Sequence, residues 1–238
     1  MNNGCYIAVG AGSVADLITL RGLNALKRAD IILYDRLADD KLLKDINVEA
    51  VCVGKHPYSG GMRQADINAL LEKHLSAGKA VARLKGGDSV LFSRIQEEIA
   101  VARAVGASIE IIPGVTAASA ALARINSALT DRQCSSGVIY LSGHRKSSDD
   151  EMPSYDWQAL VANRFTIVVY MGAKLISNIA EKLIQNGLSA KTPALVATDI
   201  EQPSEKLSCC TLNELKSFQY AGDGSAVLFV IGDTVCQM

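Results

Sequence analysis

Residues Leu84 to Arg94 read Leu-Lys-Gly-Gly-Asp-Ser-Val-Leu-Phe-Ser-Arg, and these residue types suit a small-molecule site. Gly86 and Gly87 let a backbone approach a ligand more closely than any side chain permits. Asp88 adds a carboxylate, and Arg94 adds a planar cation with forked donors. The apolar run Ala80-Val81-Ala82 precedes the stretch, and a helical pattern begins near Ile95. It therefore reads as a loop at the carboxyl end of a strand, where open α/β sheets place their ligands. Backbone and Asp88 would grip one ligand there, and Arg94 another.

Other residues of the same kind end other apolar runs. Asp35 follows Tyr34 and is either a turn cap or a proton acceptor aimed into a cleft. Lys55 follows Gly54; facing the same cleft, Asp35 and Lys55 would favour each other's charged forms. Arg94 and Glu97 stand three apart at a helix start, so a local ion pair competes with a role in gripping an anionic ligand. Arg132 poses the same choice between surface charge and ligand grip. Met171, in Tyr170-Met171-Gly172, is either core or a ligand contact at a strand end. Gly10-x-Gly12-x-x-Ala15 formally fits a dinucleotide fingerprint. The acid at Asp30 precedes the second strand instead of ending it. A nicotinamide-dependent oxidoreductase using the Gly10 loop is thus the rival reading from residues alone.

The elements that must position these groups follow from hydrophobic periodicity. Strands are expected at Tyr6–Val9, Ile31–Tyr34, Val48–Val53, Ala80–Leu84 and Ile109–Ile112. Helices are expected at about Asp16–Arg28, with Leu17, Leu20, Leu23 and Leu26 forming a stripe, at Gln64–Ser76, closed by Gly78, and at Thr116–Arg124. This β-α alternation argues for a mostly parallel sheet with helices on both faces. A polar stretch, Asn126–Ser136, places a boundary that divides the chain into domains 1–130 and 131–238. The second half repeats the pattern, with strands at Val138–Ser142, Thr166–Tyr170, Ala194–Ala197, Leu207–Cys210 and Ala226–Ile231. A helix is expected at Leu175–Asn186. Lys146–Tyr155 reads as a surface loop.

Composition excludes several classes of function. The chain has 238 residues, 49% hydrophobic and 21% charged, with a net charge of −1, so bulk electrostatics make no case for nucleic acid or a membrane surface. No apolar run approaches the roughly 20 residues of a membrane span. The six cysteines form no C-x-x-C pair and, with three scattered histidines, predict no metal site; they read as idle thiols in a reducing compartment. The start, Met1-Asn2-Asn3-Gly4, lacks the pattern of a secretion signal, and a cytoplasmic protein is expected.

Taken in order, seven motifs resemble the uroporphyrinogen-III C-methyltransferase family, within the wider tetrapyrrole methylase superfamily. They are Tyr34-Asp35-Arg36-Leu37, Val53-Gly54-Lys55, Leu84-Lys85-Gly86-Gly87-Asp88, Pro113-Gly114-Val115-Thr116-Ala117, Leu129-Thr130-x-Arg132, Ser142-Gly143-His144 and Tyr170-Met171-Gly172. The resemblance runs from Val9 to Asp233, and a fused dehydrogenase/ferrochelatase module is not expected within these 238 residues. It implies two α/β domains, a homodimer, and an active site in the cleft between domains. It also implies S-adenosylmethionine as co-substrate without a metal, and two methyl transfers to uroporphyrinogen III, giving precorrin-2 for siroheme or cobalamin. By position, Gly86, Gly87, Asp88, Leu91, Thr116, Ala117 and Met171 would hold the co-substrate, with Ser13 and Ile200 from two further loops. Asp35 matches the family's proton acceptor and Lys55 its proton donor. Arg94, Glu97 and Arg132 match positions that meet the tetrapyrrole.

The chain departs from the family in places. G-A-G-P-G-D-P becomes the shorter Gly10-Ala11-Gly12-Ser13-Val14-Ala15-Asp16, and G-G-D-P becomes Gly87-Asp88-Ser89 with its preceding glycine. Ile200 replaces a usual glycine in Asp199-Ile200-Glu201; a β-branched residue does not take positive φ cheaply, so that loop must run differently. Methylation of another tetrapyrrole, or a weakly active paralogue, is the alternative within the family.

Overall fold

Short apolar runs rich in Ile, Leu and Val, bounded by turn residues, become buried strands when helices cover both faces of their sheet. In the computed structural model, which describes residues 4–38, 40–54, 62–144 and 152–235, five such runs lead the chain. They are β1 (Cys5–Gly10), β2 (Ile31–Tyr34), β3 (Ala50–Cys52), β4 (Ala80–Lys85) and β5 (Ser108–Ile112). They pair in the order β3-β2-β4-β1-β5, every pairing parallel. A parallel sheet brings all its carboxyl ends to one edge, which is how Asp35, Gly54, Gly86 and Pro113 come to share it.

The pleat separates two apolar layers. Ile7, Val9, Ile32, Ala82 and Leu84 pack with Leu26 of α1 (Leu20–Lys27). Tyr6, Ala8, Leu33 and Val81 pack with Leu71 and Leu75 of α2 (Gln64–Ser76) and Ile99 of α3 (Ile95–Ala104). Strand β2 and helix α2 begin and end at the residues expected from periodicity. Gly78 does stand left-handed, at φ +77°.

The first helix corrects an expectation. Ala15–Leu17 is a 3-10 turn, and α1 starts only at Leu20, capped by Thr19, whose Oγ1 accepts from Gly22 N at 3.0 Å. Leu20 is 81% exposed. The threefold leucine spacing fails as a stripe because each step of three turns about 300° around a helix, so the series drifts across the faces. The dinucleotide reading fails with it: Gly12 does not open into a helix, and the Asp30 carboxylate accepts from Ala80 N at 2.7 Å.

Residues from Ala118 onward form the second compact unit, the division falling at Ala117/Ala118. The expected boundary was 130/131. The helix α4 (Ala117–Arg124) is tied to later residues: Tyr170 Oη accepts from Ala118 N at 3.2 Å, and Arg124 pairs with Glu205 at 2.9 Å. The unit continues with β6 (Gly137–Ser142), α5 (Trp157–Val161), β7 (Phe165–Tyr170), α6 (Ile176–Gln185), β8 (Pro193–Thr198), β9 (Lys206–Thr211), α7 (Leu212–Leu215) and β10 (Val227–Ile231). Its sheet runs β6-β7-β10-β8-β9, with only β6 and β7 parallel. Two antiparallel steps separate β7 from β8, so β6, β7 and β8 share a direction and end at one edge. Helix α6 buries Ile176, Ile179, Ala180 and Leu183, one face at helical spacing. Helices α5 and α7 escaped the periodicity reading because each is under two turns long.

Cys209 is disulfide-bonded, against the expectation of six buried or idle thiols.

Candidate functional site

The carboxyl edge of the first sheet is closed by backbone against backbone. Gly12 N donates to Gly87 O at 3.1 Å, and Gly87 N to Gly12 O at 2.8 Å. A Cβ on Gly10 would lie 2.5 Å from Gly114 N and 2.9 Å from Gly87 O. Three loops, after β1, β4 and β5, therefore approach to a distance only glycine allows. Gly10→Ala is expected to cost about 1–3 kcal/mol through forced overpacking. Urea unfolding checks this; an unchanged midpoint would show that the β5 loop yields freely.

Beside this clasp, Asp35, Arg36, Leu37, Gly54, Lys85, Gly86, Leu91, Phe92 and Ser93 line one cavity of about 310 Å³. The ends of β2, β3 and β4 thus converge on a single hollow. Leu37 and Phe92 are 54% and 41% exposed, so its wall carries apolar surface open to a ligand. The loop from Asp88 to Arg94 is tightly wound. Asp88 Oδ1 accepts from Val90 N at 3.0 Å, and Phe92 and Arg94 stand at φ +51° and +57°. Non-glycine residues held left-handed store strain of about 1–3 kcal/mol each, which ligand-binding loops commonly do. Ser89 is fully buried and its hydroxyl donates to Ile112 O at 2.9 Å, tying the loop to β5 where the family has a proline.

Behind the cavity lies a buried network that sequence reasoning missed. Arg83 and Lys85, on β4, are each 2% exposed, and Glu98, on α3, is fully buried. Glu98 Oε1 accepts from Lys85 Nζ at 2.9 Å, Arg83 Nε at 3.2 Å and Gln64 Nε2 at 3.3 Å; its Oε2 accepts from Tyr6 Oη at 2.7 Å. Arg83 Nη2 reaches the Asp35 carboxylate at 2.5 Å. Burial drives the Lys85 ammonium below the usual lysine range, and neighbouring Arg83 adds to it, against the pull of Glu98. Burial alone would raise the Glu98 carboxyl; the cations Arg83 and Lys85 overcome it and hold Glu98 below the ordinary range. Burial, reinforced by Glu98, raises the Tyr6 phenol far above its ordinary value, so it stays a donor. The signal available in sequence was charge inside the apolar run Ala80–Leu84. Buried charge is costly unless paired, so Arg83 demanded a partner.

The remaining candidate residues are placed as follows. Ser13 is half-buried, next to the Gly12–Gly87 pairing. Gly87 stands at φ +67°, and the nearest atom to a Cβ there would be Ala117 N at 3.8 Å, with Thr116 preceding it. Arg94 and Glu97 form a two-point ion pair, Nη2 to Oε2 at 2.8 Å and Nε to Oε1 at 2.9 Å, on the exposed surface. In the second unit, Met171 stands at φ +54° and is 46% exposed, with His144 Nδ1 3.4 Å from its carbonyl. Ile200 is 8% exposed; the positive φ angles fall on Asp199 and Glu201 at +47° and +64°, so the left-handed turn flanks the β-branched residue. Met171 and Ile200 thus follow β7 and β8 at the shared edge of the second sheet. Arg132 is exposed in the turn closed by Asp131 and Ser135. Lys55 lies outside the described residues.

Known proteins resemble the chain in sequence and in fold. Residues 6–216 match the family described as Tetrapyrrole (Corrin/Porphyrin) Methylases. A siroheme synthase of Pectobacterium atrosepticum is 37% identical over 230 residues, covering 95% of this chain and 47% of the relative. A siroheme synthase of Neisseria meningitidis is 38% identical over 230 residues, again 95% of this chain and 47% of its own. The chain thus spans about half the length of these curated relatives. The crystal structure of a uroporphyrin III C-methyltransferase from Thermus thermophilus superposes with a TM-score of 0.79 at 31% identity, over 97% of this chain and 98% of that one. A cobalt precorrin-4 methyltransferase of cobalamin biosynthesis superposes at 0.81 with 26% identity, over 96% and 94% of the two chains. By profile, by whole-length identity and by fold, the chain belongs to the tetrapyrrole methylase family.

Proposed function

We propose that the chain transfers methyl groups from S-adenosylmethionine to ring carbons of uroporphyrinogen III, twice, through precorrin-1 to precorrin-2. The observation that carries the reading is the convergence of Asp35, Gly54, Gly86 and Leu91 on one cavity. It is supported by the 98% coverage of the Thermus thermophilus enzyme, which has also been crystallised with S-adenosylhomocysteine. The open backbone at Gly87 fits a bound nucleoside, since a Cβ there would occupy the space beside the loop. Gly86, Gly87, Asp88, Leu91, Thr116 and Ala117 would hold it, together with Ser13, Met171 and Ile200. When bound, it supplies an already activated methyl on sulfonium sulfur, so the protein's task is alignment.

Asp35 is the base in this reading: one carboxylate oxygen takes the proton that the tetrapyrrole gives up as its ring carbon becomes methylated. Lys55 is the matching donor. Arg94, Glu97 and Arg132 meet the tetrapyrrole, the two arginines taking some of its eight carboxylates. The Arg94–Glu97 pair is suited to this because an exposed ion pair contributes only about 0–1 kcal/mol, so a substrate carboxylate displaces Glu97 cheaply. The reading carries a homodimer with it, which sedimentation equilibrium checks.

A second reading, methylation of another tetrapyrrole, rests on the equally close superposition of the cobalt precorrin-4 methyltransferase. Two measurements separate these. Calorimetry with S-adenosylhomocysteine is expected to show saturable binding, and methyl-labelled S-adenosylmethionine is expected to label uroporphyrinogen III. Absence of binding at millimolar concentration overturns both readings. Binding with label entering only a precorrin selects the second. NADH fluorescence is expected to be unaffected by the protein.

A further inference from the structure

We propose that Arg83 is a positioning residue: anchored by Glu98, its guanidinium fixes the Asp35 carboxylate on the cavity wall. The inference rests on reading Asp35 as the proton acceptor. Arg83 is not among the residues that line the cavity, whereas Asp35 is, with a side chain 33% exposed. Whatever Arg83 does at the reacting atoms, it therefore does through Asp35.

Its hydrogen bonds leave it one orientation. Nε is held by Glu98 Oε1 at 3.2 Å, and Nη1 donates to Leu33 O at 3.1 Å and Leu84 O at 3.4 Å. Nη2 is then aimed at Asp35 Oδ1, at 2.5 Å. Leu84 O also accepts from Asp35 N at 3.0 Å, so the guanidinium and the acid are keyed to the same carbonyl. Glu98 cannot swing away, because Tyr6, Lys85 and Gln64 occupy its two oxygens. Lys85 also donates to Ser93 O at 2.8 Å, which ties another lining residue of the cavity to the same carboxylate.

Stability does not account for this arrangement. Arg83 shares its sheet face with Ala8, Leu33 and Val81, and apolar residues of similar volume often replace a buried ion pair without loss. Arginine rather than lysine suits the position because a rigid fork can hold Glu98, two carbonyls and Asp35 at once.

The test is a double-mutant cycle of Asp35→Asn and Arg83→Gln, read as kcat and KM for methyl transfer, with S-adenosylhomocysteine affinity and near-ultraviolet circular dichroism as controls on the fold. Arg83→Gln is expected to lower kcat about 100-fold with KM little changed, the effect of a base displaced by about 1 Å. The double variant is expected to be no slower than Asp35→Asn alone, since Arg83 would have nothing left to position. Effects that multiply, or a normal kcat in Arg83→Gln, overturn the proposal and leave the role of Asp35 intact. A normal kcat in Asp35→Asn removes that role and the proposal together. Should Arg83→Gln not fold, Arg83→Lys takes its place in the cycle. It keeps the charge beside Glu98 but loses the fork, and full activity there would overturn the proposal.

Discussion

Asp35→Asn is expected to slow methyl transfer about a thousandfold while S-adenosylhomocysteine binds nearly as before. A positioned general base contributes roughly 10²–10⁴-fold, and asparagine removes the base without removing the shape. Its amide oxygen can still accept from Arg83 Nη2, and its backbone N–H can still donate to Leu84 O, so the end of β2 keeps its place on the cavity wall. What is lost is an oxygen able to take a proton. The loss should therefore appear in kcat, because the interaction is made as the proton leaves. Transfer of label from methyl-labelled S-adenosylmethionine measures it, and calorimetry supplies the control. A kcat within a few-fold of the parent would remove Asp35 from the chemistry. The cavity would then need another acceptor.

Glu98→Ala is expected to be the most destabilising single change at the site, by about 3–5 kcal/mol, because it strands the buried Lys85 ammonium and leaves Arg83 with Asp35 as its one paired carboxylate. Arg83 Nε and Lys85 Nζ both depend on Glu98 Oε1, and each cation is nearly inaccessible to water. Glu98→Gln keeps the volume and one acceptor and should cost less. The pH dependence gives a second check. Burial pushes the Glu98 carboxyl up, but Arg83, Lys85 and the hydrogen bonds from Tyr6 and Lys85 prevail and hold it below the ordinary range. Its folded pKa is thus lower than its unfolded one, and the unfolded chain binds more protons in the acid range. Its contribution is complete above the ordinary carboxylate pKa and is lost as pH falls through the depressed folded value. Urea unfolding across that range should show a shallower acid decline in Glu98→Gln than in the parent. Equal slopes in the two proteins would mean that Glu98 carries no such coupling.

Much of this site was legible from residues in sequence. The Gly86-Gly87-Asp88 loop, Asp35 and Gly54 were placed at strand ends by local pattern alone, and the parallel sheet brought them to one edge. The expectation for Ile200 is a steric argument about one residue, that it avoids positive φ; in the structure the left-handed residues are its neighbours Asp199 and Glu201. Local pattern misled where its period was wrong, as in the leucine series that runs from Leu17 into α1. It also misled where its range was too short, as at the domain boundary, where long-range bonds carry α4 into the second unit.

The sequence by itself determined where strands end and which short-range turns follow them, because burial periodicity and backbone sterics act over a few residues. It did not determine which charge neutralises which. Arg83 and Glu98 stand fifteen residues apart, and Arg83 and Asp35 forty-eight apart. Only strand register and the docking of α3 on the sheet bring these groups together. Charge compensation in a dry interior depends on separations of a few ångströms between distant parts of the chain, and those distances exist only once the fold has formed.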